Sequence, residues 1–255
     1  MTSRNYGLVA GLDELAQFQH RLITAGESFG FDIETGYLGP DAEKYSLHPE
    51  VAILVGFSFT NDPGWARYLP LRHDVGENLD NREVARLLWP LLATGRGVAH
   101  NATFELRHLS RWFVEHLADD PDHGDAVRAS KGYFPVRSDT QVEAYLAADF
   151  QSFGLKFLTR VMFDRHGGAV HRDEWPARVR RLEDIARIKE PDEREAAEAG
   201  FDGWRMTELH ELFPGLAKNK RKMLRFNTLE LTPQVVEYAC EDSVWCLAVH
   251  QEVYP

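Results

Sequence analysis

The chain has 255 residues, 44% hydrophobic and 27% charged, the composition of a globular protein with apolar mass for one large core or two modest ones. That excludes disordered and fibrous classes. Its formal charge of -11 excludes a protein that coats nucleic acid by bulk attraction, but not an enzyme that gathers carboxylates around divalent cations.

The apolar runs, such as residues 51–57, are strand-length, far short of the roughly 20 residues a bilayer helix needs. The first ten residues carry no secretory pattern, so the expectation is a cytoplasmic protein with no membrane partner. Leu12, Leu15, Phe18 and Leu22 recur at helical spacing, and Gly26 closes that helix. Residues 29–34 read as a strand, residues 51–60 as a largely buried second strand, and residues 66–71 as a third, after the turn signal Asn61-Asp-Pro-Gly. These three are expected to form an antiparallel meander.

Val84 to Leu92 mark a helix, residues 97–100 a short strand, and Leu106, Leu109, Phe113 and Leu117 another helix. Residues 119–132 read as polar loop, residues 133–136 as a fifth strand, and residues 140–163 as two helices. Residues 164–231 alternate acidic and basic stretches with weak periodicity, and read as a partly helical insertion within a single domain of residues 1–255. Thr232 and Pro233 supply an N-cap and a first-turn proline for a last helix reaching about Val253. Cys240 and Cys246 lie in that helix about 9 Å apart along its axis, beyond disulfide reach, and read as reduced, buried thiols.

In the first strand side chains alternate, so Phe29, Phe31 and Ile33 face one way while Asp32 and Glu34 share the other. Asp41/Glu43, Asp120/Asp122, Glu190/Asp192 and Glu193/Glu195 have the same spacing, but they lie in polar segments where solvated charge is the simpler reading. Asp32 and Glu34 interrupt an apolar strand, where unpaired charge is costly and a bound cation is one natural compensation. Asn101 opens a helix after a short strand, and taken alone it reads as an ordinary N-cap. Glu105 lies about one turn later, and Tyr238 and Asp242 share one face of the last helix at i and i+4.

Taken in order, Phe31-Asp-Ile-Glu-Thr, His100-Asn-Ala-Thr-Phe-Glu-Leu and Tyr238-Ala-Cys-Glu-Asp resemble the three motifs of the DEDDy 3'-5' exonucleases. The likeness is greatest to the proofreading exonuclease domain of bacteriophage-type family A DNA polymerases. Ser138-Asp-Thr-Gln-Val-Glu-Ala-Tyr-Leu and Gly154-Leu-Lys-Phe-Leu resemble the family's segment between the second and third motifs. The resemblance covers roughly residues 6–163 and 232–254. It implies an RNase H-like (DnaQ-like) α/β fold, a mixed sheet of about five strands flanked by helices.

By position, the resemblance implies that Asp32, Glu34, Glu105 and Asp242 hold two Mg2+ or Mn2+ ions and that Tyr238 orients the attacking water. It further implies that Thr35, Leu38 and Asn101 contact the terminal nucleotide of a single-stranded or frayed DNA 3' end. RNA is the alternative substrate, used by RNase D-like exonucleases with the same acids and tyrosine. A DNA polymerase region, in the same chain or another, is the implied partner. The family usually has Asp where this chain has Glu105, a longer side chain that can shift or weaken the second ion; a catalytically weakened nucleic-acid-binding module is therefore the rival from another class.

Clustered acids suit this chemistry because two divalent cations about 3.5–4 Å apart repel each other, and carboxylates offset that repulsion with hard oxygen ligands. His100, His108 and His116 are too widely spaced along a helix to share a metal. The basic cluster Lys218, Lys220, Arg221, Lys222 and Arg225 reads either as a solvated loop or as a phosphate-contacting arm.

Overall fold

The structure, a computed structural model, describes residues 4–37, 48–147, 150, 152–214 and 225–254. Period-two alternation organises its centre. In β2 (Phe29–Tyr37) the rings of Phe29 and Phe31 pack with Phe57 and Phe59 of β3 (Ala52–Asp62), all four with no solvent exposure. Each such phenylalanine contributes on the order of 2–3 kcal/mol of burial. β4 (Trp65–Pro70) completes the expected antiparallel meander, its turn closed by Asp62 accepting from the Gly64 amide at 2.6 Å.

With β1 (Asn5–Leu8), β5 (Gly97–Ala99) and β6 (Ser138–Asp139) the sheet has six strands in the order β1-β4-β3-β2-β5-β6. β3 alone runs against the others, because β1 pairs parallel to β4 and β5 pairs parallel to both β2 and β6. Without β1, this strand order and direction is that of the RNase H-like fold.

Helices cover both faces. α1 (Leu12–Ala25), α2 (Asn81–Leu92) and α3 (Ala102–Leu117) pack on the phenylalanine face. α4 (Gly124–Ser130), α5 (Thr140–Ala147) and α6 (Leu155–Met162) follow in the chain, then α7 (Trp175–Arg187) and α8 (Pro191–Ala199). The last helix, α9 (Pro233–Val253), covers the opposite face, capped as expected by Thr232 accepting from the Val235 amide. It lies so close that a Cβ at position 30 would collide with the Ser243 carbonyl, which makes Gly30 the residue that admits it.

Three expectations are corrected. Residues 124–130 form α4 rather than loop, its end turned by Lys131 in the left-handed region. The strand expected at residues 133–136 is two residues long and lies at Ser138–Asp139. β1 raises the strand number from about five to six, a strand too short and too polar to stand out from its neighbours.

Within residues 164–231 the described part is not peripheral. Trp175, Val179 and Leu182 of α7 and Met206 share a core with Leu158 of α6 and Trp245 and Val249 of α9. Phe226 and Leu229 enter the core beneath α9. Among the described residues no helix is long and apolar enough to cross a membrane.

Candidate active site

The pleat of β2 turns Asp32 and Glu34 away from the phenylalanine core, toward the face that α9 crosses. A register shift directly after Glu34, where the partner changes from Gly56 to Leu54, marks a bulge beside the two acids. α9 brings Tyr238 and Asp242 to this face, and the first turn of α3 contributes Glu105, which is 3% exposed.

Asp32 senses the charges of the other three acids. Burial, then the charges of Asp242, Glu105 and Glu34, push Asp32 well above the ordinary carboxylate range. Burial and Asp242 push Glu34 up in the same way, opposed by Lys156. Burial carries Glu105 up to about 8, with Asp139 and Asp242 adding to it and its own backbone amide opposing. Asp242 rises to about 6, through burial and the nearby Glu241 and Glu208, against the pull of Lys156. Burial, together with Glu34, Asp242 and Asp32, pushes the Tyr238 phenol up as well, so its hydroxyl keeps its proton.

Among the described residues the carboxylates of Asp32, Glu34 and Asp242 have no hydrogen-bond or ion-pair partner. Glu105 Oε2 is buried without one. The neighbouring Glu241 is the opposite case: it accepts from the Thr207 amide at 3.0 Å and pairs with Arg4 at 3.4 Å. Uncompensated carboxylates under a protein surface are costly, and a cation from outside the chain would offset them. Hard oxygen donors free of protein hydrogen bonds suit Mg2+ or Mn2+. The side chains do not stand in a finished cage: as placed, no three His, Cys, Asp or Glu among the described residues form a metal-holding group.

Asn101 departs from the N-cap expectation. Its backbone is left-handed, φ 60° and ψ 50°, and its side chain makes no capping hydrogen bond and is exposed. Asp139 instead satisfies the first two amides of the turn, accepting from Asn101 and Ala102 at 2.9 Å each. Thr35 is half-buried at the bulge, while Leu38 lies outside the described residues, as do Lys218, Lys220, Arg221 and Lys222. Arg225, the described end of that basic cluster, lies over the Tyr37 ring at 4.5 Å, at the end of β2.

Two groups at the site were not singled out from the sequence. Lys156 of α6 lies 5.9 Å from the Tyr238 ring centre and pairs with Glu208 at 2.7 Å. Glu208 belongs to the segment outside the motif resemblance, so no motif pointed to it. Lys156 stands in the quoted Gly154-Leu-Lys-Phe-Leu, and a lone cation amid apolar helix positions was the available signal. His100 donates to or accepts from Thr140 at 2.9 Å, and burial pushes it down to about 4, so it is neutral. Cys240 and Cys246 are free and buried.

No protein-family model and no curated protein matches the chain. Among solved structures it is similar to one described as the apo form of a nuclease, at 13% identity and a TM-score of 0.48, covering 99% of this chain and 80% of that one. It is also similar to the polymerase domain of Pol1 from M. smegmatis in complex with DNA primer-template and dNTP, at 19% identity and a TM-score of 0.37. That match covers 75% of this chain and spans 31% of the other. The fold class rests on the strand order and directions above, and these distant likenesses carry nothing about the reaction.

Proposed function

We propose that the chain is a divalent-cation-dependent 3'-5' exonuclease that hydrolyses the terminal phosphodiester of a DNA strand and releases nucleoside 5'-monophosphates. The observation that carries this reading is that Asp32 lies within electrostatic reach of Glu34, Glu105 and Asp242, with Asp32, Glu34 and Asp242 lacking a hydrogen-bond or ion-pair partner among the described residues and Tyr238 beside those three. Asp32, Glu34, Asp242 and Glu105 would hold two Mg2+ or Mn2+ ions, which when bound polarise the phosphate and acidify a water.

The chain's own groups then do the positioning. The Tyr238 hydroxyl would keep its proton and hydrogen-bond the attacking water, fixing its approach. Asn101, exposed and outward, meets the terminal nucleotide with Thr35 and Leu38. Lys156, already beside Tyr238 and sensed by Glu34 and Asp242, adds positive charge where the phosphate would sit. A proofreading role beside a polymerase region, in the same chain or another, is the setting the motif resemblance implies.

The test is 5'-labelled single-stranded DNA and RNA of equal sequence, incubated with the chain and Mg2+ or Mn2+. A ladder of shortening labelled DNA is the expected result. A ladder from RNA alone would move the assignment to an RNase D-like exoribonuclease, and binding without any shortening would leave a nucleic-acid-binding module.

A further inference from the structure

Two details of the strand-to-helix turn before Glu105 are unusual. Asn101 is one of two non-glycine residues with positive φ among the described residues, a conformation that disfavours most L-residues and is easiest for Asn. The second detail is that α3 begins without a cap from its own Asn101, although Asn is among the best N-caps.

Asp139 explains both. Its backbone is locked in β6 beside Ala99 of β5. Its carboxylate reaches round to the turn and accepts from the amides of Asn101 and Ala102, at 2.9 Å each, and of Gln141 at 3.0 Å. The next residue continues the clamp: Thr140 Oγ1 lies 2.9 Å from His100 Nδ1 and donates to the Ala99 carbonyl at 3.4 Å. Residues 99–102 are thus held from a segment about 40 positions later.

We infer that Asp139 is a positioning residue for the exonuclease site: by accepting from the Asn101 and Ala102 amides it holds the left-handed turn that keeps the Asn101 side chain exposed and free to meet the terminal nucleotide, and it fixes the helix start that carries Glu105. This rests on the function proposed above. Without the carboxylate, the Asn101 and Ala102 amides lose their acceptor, and the left-handed turn that presents the Asn101 side chain is no longer held. The motif resemblance names Asn101 and Glu105 but gives Asp139 no task.

The experiment measures amide hydrogen exchange and exonuclease kinetics on the full chain for wild type, Asp139→Ala, Asp139→Asn, Asn101→Gly and the double variant Asp139→Ala/Asn101→Gly. Asp80→Ala is the control, since Asp80 caps α2 through the Glu83 amide at 2.9 Å, away from the acids. In Asp139→Ala the Asn101 and Ala102 amides should exchange about 10-fold faster or more, the scale of a lost charge-assisted hydrogen bond, while Leu109 and Phe113 in mid-helix stay protected. KM for a labelled oligonucleotide should rise well beyond the effect of Asp80→Ala. The double variant should be little worse than the poorer single one, because both changes remove the same presentation of Asn101. Asp139→Asn, which keeps the volume but accepts through only one oxygen, should fall between wild type and Asp139→Ala.

Unchanged exchange at Asn101 and Ala102, a KM effect no larger than that of Asp80→Ala, or single effects that simply multiply would each overturn the proposal. Failure of the wild type to shorten any oligonucleotide would instead overturn the nuclease reading and the catalytic part of this one. The exchange measurement would still decide whether Asp139 holds the turn.

Discussion

Asp120 and Asp32 are both acids drawn out of bulk solvent, and the protein treats them in opposite ways. Asp120, 4% exposed, is met by Arg86 at 2.7 Å and by the amides of Asp122 and His123 at 3.1 Å. Burial alone would raise it, but those partners hold it below the ordinary carboxylate range. Asp32 has no such partner among the described residues and is surrounded by three more acids, so burial and like charge raise it. A satisfied buried acid is an element of structure. A group of half-buried acids without such partners is a standing cost, and groups perturbed in this way cluster at functional sites.

The strongest way to break this contrast is Asp32→Ala, which should reduce exonuclease turnover about 1000-fold or more, as expected when a main electrostatic stabiliser of the reaction is lost. The same substitution should leave the thermal midpoint unchanged or raised in the absence of divalent cations. Asp120→Ala should do the reverse, sparing turnover and lowering stability by about 1–3 kcal/mol, because Arg86 and two amides lose their acceptor. Denaturant unfolding beside the nuclease assay separates the two.

Glu105 sharpens the comparison through its charge. Glu105→Gln should slow turnover about 10- to 100-fold, equivalent to roughly 1.4–2.8 kcal/mol of lost transition-state stabilisation. Glu105→Asp, which keeps the charge, should retain much of the rate. The same residue predicts a pH effect. Its pKa rises from 4.5 to about 8 on folding, so the stability it contributes is complete below pH 4.5 and is lost as pH rises to about 8. Cation-free melts should therefore fall in midpoint across that window, and Glu105→Gln should flatten the fall. Tyr238→Phe should have the smallest effect, slowing turnover about 10-fold, near the worth of one hydrogen bond, without changing cation affinity.

Much of this was legible in the chain because the signals are local. Alternation in residues 29–34 separates the phenylalanine core from Asp32 and Glu34, and Thr232-Pro233 places the start of the helix carrying Tyr238 and Asp242. The parts that were not legible depend on contacts distant in sequence. The Asn101 cap read wrongly because the turn takes the left-handed region, held by Asp139, which lies 38 residues away. Glu208 comes beside Lys156 through the packing of α7 and Met206 against α6 and α9, contacts distant in sequence. The two-residue β6 is held by its neighbour β5 rather than by any propensity of Ser138 and Asp139.

The central claim is that Asp32, Glu34, Glu105 and Asp242 await a divalent cation. Titration calorimetry with Mn2+ at neutral pH, on wild type, Asp32→Asn and Asp120→Asn, tests it most directly. The account predicts binding to wild type and to Asp120→Asn, and its loss or severe weakening in Asp32→Asn. Equal binding to wild type and Asp32→Asn, or no binding to any of the three, would contradict it.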